Sequence, residues 1–223
     1  MKQIFKEVLE ELLQVFQGRT LDVLIPPILF FVLLRWFDLG IALIGSLVLS
    51  SLFLAHRLYK QDNLVYAIGG FVGVLFASLM TFVSNNASNF FLPDVIGTSL
   101  LVIATTVSLL TKRPIAAYVS HLTRGWDYSW FKRDDVRPAY MEVSVFWLGF
   151  FVLRLGVELY LYFTSTVADL VIANVVLGLP LTIGVLVISY IYGIYRLRRL
   201  GGPGIDEYSS GATPPYRGQT RGF

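Results

Sequence analysis

The chain contains no cysteine, which excludes disulfide frameworks, thiolate metal sites and cysteine nucleophiles. Histidine is nearly absent too: His56 and His121 stand alone, so no H-E-x-x-H zinc motif exists. Neither a Walker phosphate loop nor a G-x-S-x-G nucleophile elbow occurs. The close aspartate clusters with which lipid-headgroup transferases hold two metals are missing as well. The expectation is a protein that is not an enzyme and has neither cofactor nor metal.

Charge is the other scarcity. Only 15% of residues are charged, against roughly 25% in soluble domains. The chain is 55% hydrophobic, with a mean hydropathy of +0.66, more apolar surface than one soluble core can hide. Runs of about 17 to 25 mostly apolar residues recur, the length a helix needs to cross a hydrocarbon layer about 30 Å thick. The expected fold is an all-α membrane protein: six transmembrane helices behind an N-terminal amphipathic interfacial helix.

That leading helix covers residues 1–18. Ile4, Phe5, Val8, Leu9, Leu12, Leu13 and Phe16 recur with helical period, and Lys2, Lys6, Glu7, Glu10 and Glu11 fill the other face. No small-residue cleavage site follows a short apolar stretch, so the spans themselves are expected to direct insertion. The membrane domain takes residues 20–197. Its spans run from about Leu21 to Phe37, Leu39 to Tyr59, Leu64 to Val83, Pro93 to Thr111, Met141 to Phe163 and Val167 to Tyr195. Pro180, with Gly178 and Gly184 nearby, predicts a kink in the last. Residues 201–223 are rich in Gly, Pro, Ser and Arg, and bury too little apolar area to offset ordering entropy. They read as a disordered cytoplasmic tail.

Lys2, Lys6, Arg19, Arg57, Lys60, Lys112, Arg113, Arg124, Lys132, Arg133, Arg137, Arg196, Arg198 and Arg199 all fall on one side of a six-span arrangement. The other side receives Arg35. By the positive-inside rule both termini are cytoplasmic, and the protein is expected in a bacterial inner (plasma) membrane.

Three groups of residues stand out. Gly69, Gly73 and Ala77 form a small-residue stripe that lets another helix approach closely, within the bundle or from a second subunit. Arg154 and Glu158 lie well inside the fifth span, where ionisable groups are costly and mark a functional hypothesis. With Arg35, Asp38 and Asn174 they are expected to converge into one outer-leaflet polar cluster, unless Arg154 and Glu158 only neutralise each other and Arg35 snorkels. The loop 112–138 interleaves aromatic and basic residues. Lys112, Arg113, Arg124, Trp126, Trp130, Lys132 and Arg133 are expected at a lipid or partner interface. Stacking and phosphate contacts would also suit nucleic acid, but Asp127, Asp134 and Asp135 dilute the charge and the loop abuts a membrane. Lipid, a membrane-protein partner or self-association is expected instead.

Pro27, Phe30-Phe31, Asp38 with Ala42, Lys112-Arg113-Pro114 after the fourth span, Trp147 and Gly193-Ile194-Tyr195 follow one another in an order that resembles the bacterial intracellular septation protein A family. The resemblance covers roughly Ile25 to Arg196. It implies an inner-membrane-spanning protein of septation or cell-envelope maintenance that works through membrane partners and has no established reaction. The amphipathic lead, the longer aromatic loop and the tail depart from that pattern. A small transporter or lipid-handling protein using the Arg154 and Glu158 face is the alternative.

Overall fold

The computed structural model describes residues 21–60, 64–164, 166–220 and 222–223. The amphipathic helix expected over 1–18, with Lys2, Lys6 and Arg19, lies outside them. The described residues form helices and no strand: α1 (Leu21–Trp36), α2 (Leu39–Lys60), α3 (Leu64–Ser84), a 3-10 turn (Ala87–Phe91), α4 (Leu92–Leu110), α5 (Ile115–Arg124), α6 (Tyr128–Phe131), α7 (Arg137–Thr164), α8 (Val167–Leu177), α9 (Leu179–Leu200) and α10 (Ile205–Ser209).

Among the described residues four helical stretches are long and apolar enough to cross a membrane: Leu39–Lys60, Ala87–Leu110, Arg137–Thr164 and Val167–Leu200. Ile25–Trp36 and Ile68–Ser84 are shorter apolar helices. The stretch from Val167 is interrupted at Gly178, two residues before the expected kink at Pro180. Gly178 has φ −70° and ψ −117°, and its N–H still donates to the Asn174 carbonyl at 2.9 Å. Proline disfavours helical backbone before it and brings no N–H of its own. A Cβ at Gly178 would collide with the Asn174 carbonyl, so glycine is what fits the break.

The chain divides into two compact units. The first comprises residues up to Gly97 and Leu155–Leu181. Its core stacks Phe30 of α1 on Phe90 of the 3-10 turn, rings 4.0 Å apart and 5° from parallel. Phe91, Ala42, Leu43, Val74, Ala77, Leu170 and Val171 complete it. Asp38 Oδ1 accepts the Ile41 N–H at 2.9 Å and so starts α2 directly after α1. Gly45 lies against Leu33, and a Cβ there would meet the Leu33 side chain. Helix α2 shows how the unit is built. Ala42, Ser46 and Ser50 are buried while Ile44, Val48 and Leu52 are exposed. Ser46 satisfies itself by donating to the Ala42 carbonyl at 2.9 Å.

The second unit comprises Thr98–Arg154 and Thr182–Phe223. Trp130, Phe131, Val136, Ala139, Tyr140, Val143, Ile194, Leu197 and Ile205 are all buried in it. In the segment 201–223, expected to be disordered, residues 202–205, 218–219 and 222–223 are instead buried here. The Trp130 indole N–H donates to the Pro203 carbonyl at 3.0 Å. Arg198 donates to the Gln219 and Thr220 carbonyls at 3.0 and 3.1 Å, and the Gly222 N–H donates to the Tyr190 hydroxyl at 3.1 Å. The Phe223 ring stacks on Tyr140 at 4.2 Å and covers Gly193, where a Cβ would leave it no room. Composition misjudged this segment because it weighs the tail's own apolar area. The ordering is instead supplied by an aromatic surface already built by Trp130 and Tyr140 and by side chains that satisfy the tail's backbone.

Candidate functional site

Of the residues expected in one polar cluster, Arg35, Asp38, Glu158 and Asn174 belong to the first unit and Arg154 to the second. Asp38 is exposed and spent on capping α2. Arg35 is exposed at the end of α1. Asn174 donates through its side-chain amide to the Asp94 carboxylate. Glu158 is 7% exposed, within the first unit, whereas Arg154 is half-buried and belongs to the second.

The first unit does carry a polar network, built from other residues. The Tyr162 hydroxyl donates to Asn89 Oδ1, and Asn89 Nδ2 donates to the Ser84 hydroxyl at 2.6 Å. Asn86 Oδ1 accepts the Ser88 N–H at 3.0 Å and starts the 3-10 turn. Thr166 and Asp169 form a capping box at the start of α8. Together with the Asp94 and Asn174 pair, these bonds tie the end of α3, the turn, α4, α7 and α8 at one set of helix ends. Asp94 was legible as a helix-start residue, but its pairing with Asn174 was not, because the two are 80 residues apart.

The aromatic and basic loop splits into an inner and an outer set. Trp130 and Phe131 are buried and packed edge to face with Tyr140. Trp130 was expected at a headgroup or partner interface. It is wholly buried inside the unit, because its N–H has the Pro203 carbonyl to satisfy it there. Arg124 donates to the Phe223 carbonyl at 3.2 Å and lies 5.2 Å from the Trp126 ring centroid, which is half-buried. Arg133 is engaged by Asp135 through two hydrogen bonds at 2.7 and 2.8 Å, and this pairing raises its pKa further. Lys112, Arg113 and Lys132 are exposed. Of the seven residues expected at an interface, these three are the ones with open surface.

Burial pushes the Tyr128 hydroxyl up to about 12, helped by its bond with Tyr118, so it stays protonated at neutral pH. Asp127 is held below the usual carboxylate range by the Ser129 hydroxyl and N–H, and it caps α6. His121 Nδ1–H donates to the Trp126 carbonyl, and Gly125 ends α5 in the left-handed region at φ 68°.

Sequence reasoning also missed an ion pair between two long helices. Arg196 on α9 grips Glu142 on α7 with Nε and Nη2 at 2.8 to 3.0 Å, and the Tyr192 hydroxyl donates to the same carboxylate at 2.6 Å. Trp147 Nε1–H donates to Ser189 at 2.8 Å on the same pair of helices. Spacing within one helix gives no signal for such a pair.

The Gly69, Gly73 and Ala77 stripe is covered only in part. Ala77 is buried, but a Cβ at Gly69 or Gly73 would meet nothing within 4 Å. Gly45 and Gly193, by contrast, lie against side chains that a Cβ would strike. Among the described residues no group of three or more acidic or histidine side chains is placed to hold a metal ion.

No curated protein and no solved structure matches the chain. A family model described as "Protein of unknown function (DUF3159)" matches residues 18–197, which span α1 to α8 and nearly all of α9. The chain belongs to the DUF3159 family.

Proposed function

We propose that this is a non-enzymatic integral protein of the bacterial inner membrane, with six spans and both termini in the cytoplasm, that scaffolds septation or envelope maintenance through lipid or membrane partners. The observation that carries the reading is the inverted burial of α2. Small and polar Ala42, Ser46 and Ser50 face the protein while Ile44, Val48 and Leu52 face away. That pattern suits a lipid surround, where helix association rests on small-residue contact and hydrogen bonds. The inter-helix bonds of Glu142 with Arg196 and of Asp94 with Asn174 are structural ties of the kind a scaffold needs. The family resemblance supplies the septation role, and the residues that carry it include the packing residues Phe30, Ala42 and Gly193.

Growth, septum morphology and envelope permeability in cells lacking the protein test the role. Defects restored by the wild-type gene are expected, and unchanged septa and permeability would remove it. Single cysteines at Trp36, Asn86 and Lys112 test the topology, since the native chain has none. Labelling from outside should reach the first two positions and spare the third.

Glu158 favours a second reading, a transporter or lipid-handling protein. It is a carboxylate 7% exposed in the apolar helix α7, and Arg154 precedes it by one turn. Complementation with Arg154→Leu, Glu158→Leu at matched abundance separates the two. Rescue leaves the scaffold, and failure of the double variant alone makes the pair a working site.

A further inference from the structure

Helix α5 turns its bulk outward. Ala116, Ala117 and Ser120 are buried against the second unit, whereas Tyr118, Val119 and Leu122 are exposed, Leu122 to 79%. At 100° per residue these three and the half-buried Ile115 occupy one arc of about 100°. A helix seated on a water-soluble core has the opposite arrangement. The small inner face lets α5 lie close: the Ala116 N–H donates to Ser144 and the Ile115 N–H to Ser108, both at 3.2 Å. Tyr128 packs against Tyr118, and Leu122 is the most open of the outer side chains.

Cations border that apolar arc. Lys112 and Arg113 are exposed in the turn that leaves α4, and Lys112 takes φ 55° there as the chain reverses into α5. On the other flank the Lys132 ammonium lies 5.1 Å from the Tyr128 ring centroid, and that ring stacks on Tyr118 at 5.0 Å. Two of the nearby acids are paired, Asp134 with Arg137 and Asp135 with Arg133, while Asp127, capped by Ser129, keeps its charge near Lys132. The turn follows Leu110, the end of one membrane-length stretch, and α7 begins the next at Arg137. An element between two such ends lies at the level of the headgroups.

We propose that α5 is an interfacial element that recognises anionic phospholipid. Ile115, Tyr118, Val119 and Leu122 enter the boundary between headgroups and acyl chains, and Lys112, Arg113 and Lys132 hold the phosphate groups. This rests on the membrane-spanning reading and names the lipid class for it.

The test uses the full chain in vesicles of phosphatidylcholine, alone or with a minority of phosphatidylglycerol. Because the chain has no cysteine, Leu122→Cys carries a single environment-sensitive fluorophore. The label should emit as in an apolar medium and be quenched by lipids with a shallow nitroxide. In the wild type, spin-labelled phosphatidylglycerol should be enriched several-fold over phosphatidylcholine at the protein boundary, and salt should lower that ratio. Lys112→Gln, Arg113→Gln, Lys132→Gln removes the three cations and should bring the ratio close to unity. A water-exposed label in protein that resists alkaline extraction overturns this proposal alone. So does an enrichment that neither salt nor the triple variant changes. Release of the protein by alkaline extraction overturns the membrane-spanning reading and this proposal together.

Discussion

Trp130 and Pro203 meet across 73 residues through one hydrogen bond, indole N–H to carbonyl, at 3.0 Å. The bond joins a loop rich in aromatic residues to a segment rich in glycine and proline, and it lets the Trp130 side chain be fully buried. Trp130→Phe keeps much of the apolar volume and strands the carbonyl, a loss of about 1 kcal/mol. Trp130→Ala adds a cavity and should cost about 3–5 kcal/mol. Thermal unfolding in detergent should rank wild type, Phe and Ala in that order. Amide exchange should accelerate across residues 203–220 in both variants.

Glu207 anchors the same segment from its other side. Its carboxylate accepts the N–H groups of Arg217, Gly204 and Gly218 at 2.7, 2.9 and 3.1 Å. The Arg217 and Gly204 bonds chiefly hold its pKa below the ordinary 4.5. A depressed carboxylate contributes its full stability above the unfolded value, and that contribution is lost as pH falls through the folded value. Limited proteolysis of the tail should therefore be flat near neutrality and rise on acidification below about pH 4.5. Glu207→Gln should remove most of that acid response.

Gly193 and Phe223 make a steric prediction. The ring occupies the space a Cβ would need, so Gly193→Ala must push it aside. Stacking on Tyr140 should be lost with it. Exchange at Gly222, whose N–H donates to Tyr190, should accelerate severalfold in Gly193→Ala and stay unchanged in Gly184→Ala, where a Cβ meets open space.

In the first unit, Asn174→Leu removes the amide that donates to Asp94. A hydrogen bond to a charged acceptor is worth about 1.5–3 kcal/mol, and the variant should lose stability of that order. Tyr162→Phe removes the donor to Asn89 in the same way, and the two changes should add, because they share no partner. Melting temperatures of the two single variants and the double variant check both points.

Much of this was legible before any coordinates. Apolar runs of about 20 residues allow little but membrane-length helices, so the all-helical character and the extents of α2, α4 and α7 follow from periodicity and length. Asp94 announces a helix start by chemistry that acts within one turn, whereas the cap that Asp38 gives α2 was not read from the sequence. The break before Pro180 follows from a missing N–H, to within two residues.

What depends on rotation and on distant chain was not legible. Glu142 and Arg196 lie 54 residues apart, and Asp94 and Asn174 lie 80 apart. Whether such groups meet is decided by which face each helix turns to its neighbour, and in long apolar helices the hydrophobic pattern is too uniform to say. Trp130 and the tail make the point most sharply. Composition assigns a tryptophan among arginines to an interface and a glycine- and proline-rich end to disorder. Tertiary structure decided otherwise, because each supplies what the other lacks: the tail a carbonyl for the indole, and the indole an apolar floor for the tail.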